Sequence, residues 1–142
     1  MSIALDEAKD AAKRGEVPVG AVIVRNDVII AQAGNRIVQD KDPTAHAEIV
    51  VMRLAARALG RERLYDCDLY VTLEPCTMCA GAISLARIRR LYFGASDEKG
   101  GAVENGARFF TLSTCHHAPE VYSGFQETES AALLKQFFAE RR

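Results

Sequence analysis

The chain has 142 residues, 49% of them apolar and 26% charged, with a net charge of −1 at pH 7. That composition describes a folded domain of ordinary size and excludes disorder. It also excludes a protein that holds nucleic acid by overall positive charge, so a polyanionic partner has to meet a local patch. Candidates for such a patch are Arg87, Arg89, Arg90, Lys99, Arg108, Arg141 and Arg142. No apolar run approaches the roughly 20 residues of a bilayer span. The opening M-S-I-A-L-D-E-A-K-D lacks a basic region and carries acids early, unlike a signal peptide. The expectation is a cytoplasmic protein with no membrane partner, whose four cysteines (Cys67, Cys76, Cys79, Cys115) stay reduced.

Residues 3–14 place Ile3, Leu5, Ala8 and Ala12 near one face of a helix that stops at Gly15. Two β-rich runs follow, V-P-V-G-A-V-I-V and V-I-I-A-Q-A, around the polar turn Arg25-Asn26-Asp27, which predicts a hairpin. Val22, Ile23 and Val24 are continuous rather than alternating, as in a sheet covered on both faces. Gly34-Asn35-Arg36 breaks the second strand, and Asp42-Pro43-Thr44 carries helix-start chemistry. The helix that follows has Ile49, Met52, Ala56 and Leu59 on one stripe and ends at Gly60. The run L-Y-V-T-L at 69–73 predicts a strand, and a second helix begins with Pro75 near its first turn. Ile88 to Phe93 predicts another strand, ended by Gly94. Phe109, Phe110 and Leu112 suggest an anchored strand, Val121 to Phe125 a last short one, and residues 128–140 a closing helix. The order α-β-β-α-β-α-β-(β)-α predicts an α/β fold with one mixed sheet, a hairpin at one end and parallel strands added through helices.

Cys76-Thr77-Met78-Cys79 is a C-x-x-C, which alone fits a redox pair, half a zinc site or two core cysteines. On a helix both sulfurs share a face, and a helix start favours the thiolate that binds zinc. His46 heads the other apolar helix, where a lone histidine is more often a satisfied core residue. Taken with Pro-Cys-x-x-Cys it supplies one nitrogen beside two thiolates. Three protein ligands are the set of a catalytic zinc site, which keeps one position open. Glu48 lies two residues on, about 200° around a helix from His46, and so is a poor co-ligand. It can instead border the open position and move a proton between water and substrate. A first-turn acid that steadies a helix N-terminus is the plainer account of the same residue.

H-A-E at 46–48 and P-C-T-M-C at 75–79 resemble the zinc-dependent cytidine deaminase superfamily. The blocks E-V-P-V-G-A-V at 16–22, G-N-R at 34–36, D-P-T-A-H-A-E-I at 42–49, L-Y-V-T-L-E-P-C-T-M-C-A-G-A-I at 69–83, A-R-I at 86–88, F-G-A at 93–95 and the closing F-F resemble its bacterial tRNA-specific adenosine deaminase branch. The resemblance implies a three-layer α/β/α fold on a five-stranded mixed sheet. It implies a single deaminase domain over residues 1–142, one Zn²⁺ per subunit and a homodimer. The implied reaction is hydrolytic deamination to inosine of the wobble adenosine in the anticodon stem-loop of an arginine tRNA. It makes His46, Cys76 and Cys79 the zinc ligands and Glu48 the proton shuttle. Asn35, the backbone N–H of Ala47 and the Val17-Pro18 loop become the base pocket. Asp97 and Lys99 become contacts to the anticodon backbone, and Phe137 and Phe138 the aromatic tail beside the flipped base. For the two phenylalanines, core packing of the last helix is an equal account.

The sequence departs from the family pattern after Ser96-Asp97, where it reads K-G-G-A-V-E-N-G-A-R-F-F and then T-C-H-H-A-P. Cys115, His116 and His117 offer a fourth zinc ligand on paper, but the three-ligand set already has the catalytic form, so a polar loop is the expectation there. Three rival functions remain. A deaminase of free guanine or cytosine would share the zinc site. A zinc-stabilised interaction module would close the fourth position and leave Glu48 idle. A redox C-x-x-C would need exposed thiols and no metal.

Overall fold

The computed structural model describes residues 1–141, so Arg142 lies outside the described residues. The chain runs α1 (Ser2–Lys13), β1 (Gly20–Arg25), β2 (Val28–Gly34), α2 (Ala47–Leu59), β3 (Asp68–Leu73), α3 (Thr77–Ala86), β4 (Arg90–Ala95), β5 (Glu120–Tyr122) and α4 (Glu127–Glu140). The five strands form one sheet in the order β2-β1-β3-β4-β5. β1 is antiparallel to both β2 and β3, while β3, β4 and β5 are parallel, which makes the sheet mixed. The hairpin turn is Asn26-Asp27, with both residues at positive φ (51° and 62°), the two-residue geometry whose twist matches the flanking strands. One extra residue in β2 shifts the register between Ile23 and Val24.

α1 and α4 cover one face of the sheet, and α2 and α3 pack on the other. The expected three-layer α/β/α arrangement is therefore present. The main core lies under α2 and α3, where Ala21, Ile23, Leu69, Val71, Leu91 and Phe93 from the strands meet Val51, Met52, Cys79 and Ile83. On the opposite face α1 sits almost backbone to backbone on the sheet. A Cβ at Gly20 would stand 1.9 Å from the Ala4 carbonyl oxygen, so only glycine permits that approach. Gly60 ends α2 in the left-handed region (φ 66°), as its position in the sequence predicts.

Three local expectations are corrected. Gly94 does not end its strand; it lies inside β4, where a Cβ would meet the Ser130 hydroxyl at 2.6 Å and the Thr72 carbonyl oxygen at 2.7 Å. It marks where α4 lies against the sheet, not a break. Residues Phe109–Thr111 form a short 3₁₀ turn rather than a strand, because β5 already takes the edge of β4. The R-I-R-R segment is no free basic patch. Arg89 makes a bidentate pair with Asp68 (3.0 and 3.1 Å), Arg90 pairs with Glu120 (3.1 Å), and Arg87 donates to the Ser84 carbonyl. These arginines stand at the start of β4, beside the start of its parallel neighbour β3, whereas Cys76 follows the far end of β3.

Candidate active site and metal centre

The site is built where two helices begin. His46 is the N-cap of α2 and Cys76 the N-cap of α3, and both have extended backbones (ψ 152° and 176°). A cap residue normally turns its side chain back onto the helix. Neither of these does, and their side chains point at each other instead. Asp42 prepares the α2 end by accepting the Thr44 N–H (2.8 Å) and hydroxyl (2.7 Å), which folds the chain into a tight turn ahead of His46.

The His46 Nδ1 atom lies 3.7 Å from Cys76 Sγ and 3.5 Å from Cys79 Sγ. The three ligand atoms sit within 4.8 Å of one another, close enough to share one ion. One imidazole nitrogen and two sulfurs are the donor set of a catalytic zinc site. The electrostatics suit it. The hydrogen bond from the Cys79 thiol, assisted by His46, holds Cys76 down to about 4, in the range where it is a thiolate. The same hydrogen bond and burial push the Cys79 thiol up. Both helix starts aim positive dipole ends at this charge.

Glu48 is the second residue of α2 and is only 4% exposed. Burial pushes its pKa up to about 7, against the pull of its own backbone N–H and of His46. The 200° separation expected between His46 and Glu48 assumes that both are helical. His46 stands outside the helix, so the two side chains face the same site although only Glu48 obeys the helical repeat.

Asn35 links this centre to the neighbouring loop. Its Oδ1 accepts the Ala47 N–H (2.7 Å), and its Nδ2 donates to the Val17 carbonyl (3.1 Å). It thus supplies from a distance the cap that His46 does not provide. Ala47 and Val17 are both on the expected pocket list, and Asn35 joins them. Pro18, next to Val17, is almost fully buried.

A groove of about 990 Å³ is lined by Val17, Leu73, Asp97, Lys99, Phe138 and Arg141. Val17, Asp97, Lys99 and Phe138 are four of the expected substrate residues. Asp97 Oδ1 accepts the N–H groups of Lys99 (3.1 Å) and Gly100 (2.9 Å), so that carboxylate shapes the turn that presents Lys99. The closing phenylalanines divide. Phe138 is 50% exposed on the groove, whereas Phe137 is buried and carries the Arg141 guanidinium 3.5 Å over its ring. Cys115, His116 and His117 do not join the metal group, which among the described residues is His46, Cys76 and Cys79. Cys115 contacts the Ser84 hydroxyl and the His117 carbonyl, and His117 Nε2 donates to the Ile88 carbonyl (2.7 Å). Two buried carboxylates, Glu16 and Glu74, brace loops around the site and went unnoticed in the sequence, where a single acid reads as solvated surface.

Residues 1–95 match the family model for the cytidine and deoxycytidylate deaminase zinc-binding region. The chain is 64% identical over its full length to a tRNA-specific adenosine deaminase of Agrobacterium fabrum, of which it covers 93%. The chain belongs to the tRNA-specific adenosine deaminase family. It is thus a zinc-dependent hydrolytic deaminase. A structure from a study of A-to-I editing by tRNA:A34 deaminases is 64% identical and superimposes with a TM-score of 0.94, over 94% of this chain and 97% of that one. A guanine deaminase of Bacillus subtilis is more distant, 33% identical with a TM-score of 0.66 over 99% of this chain and 90% of that one. The fold is thus similar to that of a tRNA:A34 deaminase and to that of a guanine deaminase.

Proposed function

We propose that the chain is one deaminase domain that converts the wobble adenosine of an arginine tRNA to inosine in the cytoplasm, as a homodimer with one zinc per subunit. The observation that carries this reading is the continuity of the site. The His46, Cys76 and Cys79 cluster adjoins Glu48, Asn35 ties that end of α2 to Val17, and Val17 opens onto the groove with Asp97, Lys99 and Phe138. The groove is open to solvent and carries a cation, Lys99, and an exposed ring, Phe138, which suit a nucleic acid better than an isolated base.

Zinc held by His46, Cys76 and Cys79 supplies the Lewis acidity that makes water a nucleophile near neutral pH. The residues of the chain do the remainder. Glu48 takes a proton from the attacking water and delivers it to N1 of the adenine ring, then takes the proton of the new C6 hydroxyl and passes it to the amine, which leaves as ammonia while the C6 carbonyl forms. A carboxyl held at about 7 exchanges protons in both directions near neutral pH. Asn35 has a second amide hydrogen beyond the one that Val17 takes, and it reads the base edge. Phe138 offers a ring face to the flipped base or its neighbour, and Lys99 meets a phosphate. Unstacking the base costs about a few kcal/mol, least in a single-stranded loop.

The proposed dimer face lies on α2 and α3, where the exposed Leu85 stands on a groove lined by Ile49, Met52 and Ala82. Among the described residues, no helix is long and apolar enough to cross a membrane. The deciding assay offers the protein an arginine-tRNA anticodon stem-loop and, separately, free adenosine, guanine and cytosine, and measures inosine and ammonia. Inosine in the stem-loop alone is the expected result. Ammonia from a free base with no reaction on the stem-loop overturns the reading.

A further inference from the structure

We propose that Glu74 is a positioning residue for substrate binding, whose buried carboxylate holds the 96–105 loop so that Asp97 and Lys99 form the wall of the groove beside Cys76. This inference rests on the RNA reading of the groove.

Glu74 follows β3 directly, and its side chain is 2% exposed. Among the described residues it makes no ion pair, and it lies two residues before a zinc ligand without belonging to the metal group. Both of its oxygens are fully used by one loop. Oε1 accepts the Asp97 N–H (2.9 Å), the Asn105 side-chain amide (2.7 Å) and the Ser96 hydroxyl (3.3 Å). Oε2 accepts the N–H groups of Val103 (3.1 Å), Glu104 (2.9 Å) and Asn105 (3.0 Å). The loop therefore closes around the carboxylate as around a bound anion, with both of its ends fixed to one side chain. Gly101 confirms how close the wrap is, since a Cβ there would stand 2.5 Å from the Glu74 carboxyl carbon.

The backbone completes the connection to the site. Ala102 N–H donates to the Pro75 carbonyl (2.9 Å), and Glu74 N–H donates to the Ala95 carbonyl (2.8 Å). The segment 74–76 is thus held to the loop on one side and carries Cys76 on the other. Of the residues the loop contributes, Ser96, Asp97, Glu98, Lys99 and Gly100 line the groove. The exposed loop has little apolar anchorage of its own between residues 96 and 100; Asp97 folds the turn onto itself, and Glu74 fixes that turn to the rest of the fold.

Glu74→Gln is the sharp test. An amide turns one three-donor cluster toward an NH₂ group, which cannot accept, and frees half of the loop while preserving side-chain volume. Asn105→Ala is the milder variant, since it removes one donor and leaves the carboxylate. The expected E74Q protein keeps one zinc per chain by metal analysis. It shows faster hydrogen exchange at the amides of Asp97, Val103, Glu104 and Asn105. Its KM for the anticodon stem-loop rises roughly tenfold, with kcat within about threefold of the parent. N105A shows the same pattern with a KM rise of roughly threefold, and it decides the question if E74Q does not fold. An unchanged KM in the soluble variants, or a fall in kcat at constant KM, overturns the role of Glu74. A parent protein inactive on the stem-loop refutes the RNA reading instead, and the exchange rates then still report whether Glu74 anchors the loop.

Discussion

At the scale of single residues, the four groups of the centre have separable tasks. Glu48→Ala removes the proton carrier but none of the three metal ligands. Zinc content should stay at one per chain, and kcat on the stem-loop should fall by about 10²–10⁴-fold. Substantial turnover in that variant would remove Glu48 from the mechanism. Asn35 combines support with recognition, because it is 6% exposed and satisfies a helix-start N–H and a loop carbonyl at once. Asn35→Ala should cost roughly 1–3 kcal/mol of stability, the cost of leaving buried polar groups unpaired. Thermal melting checks this, and kcat/KM should fall in the same protein. An unchanged melting temperature would show that those two hydrogen bonds do not carry the local structure.

At the scale of elements, the fold depends on close approaches and on a few ionic ties between segments. Asp66, ahead of β3, bridges Arg25 at the end of β1 (2.7 Å) and Arg61 after α2. Its partial burial opposes ionisation, but hydrogen bonds from Arg25 and Arg61 outweigh that and hold its pKa below the usual aspartate range. A carboxyl depressed in the folded state stabilises fully above its unfolded pKa of about 3.9, and that contribution disappears as the pH falls through the folded value. Asp66→Asn should therefore lower stability by about 1 kcal/mol at neutral pH. The gap to the parent should close on acidification below about pH 4, as denaturant titrations at several pH values would show. A gap that widens on acidification would contradict the sign. Cys67, beside this tie, is pushed up to about 11, first by burial and then by the Asp66 charge, so it behaves as a core residue rather than a reactive thiol.

At the scale of the whole molecule, three parallel strands place the starts of α3 and β4 at opposite ends of the sheet. The metal ligands therefore gather at one end while the paired arginines of R-I-R-R lie at the other. Leu85, 75% exposed, stands on a separate groove between α2 and α3 lined by Ile49, Met52 and Ala82. An apolar groove of this kind suits a partner, and a second copy of the chain is the proposed one. Leu85→Glu should shift the protein toward monomer in sedimentation equilibrium, with zinc retained. A dimer of undiminished strength would move the interface elsewhere.

The sequence alone determined the order of elements, the hairpin, the mixed sheet and the C-x-x-C helix start. These follow from short-range patterns: the two-residue side-chain period of strands, helix stops at glycine, and the chemistry of turns. It also brought His46, Cys76, Cys79 and Glu48 together, because a strong motif names its members without their coordinates. Only the tertiary structure decided what neighbours across the chain impose. Gly94 looked like a strand end until α4 was seen resting on it, and Phe137 was indistinguishable from Phe138 until one turned inward and the other toward the groove. Arg89 and Arg90 looked like a basic patch until Asp68 and Glu120 stood opposite them. Glu74 looked like any surface acid until six donors from residues 96–105 converged on it. In each case the deciding partner is more than eight residues away in the chain or on another element. Local pattern carries no information about such partners, and burial and hydrogen bonding depend on them entirely.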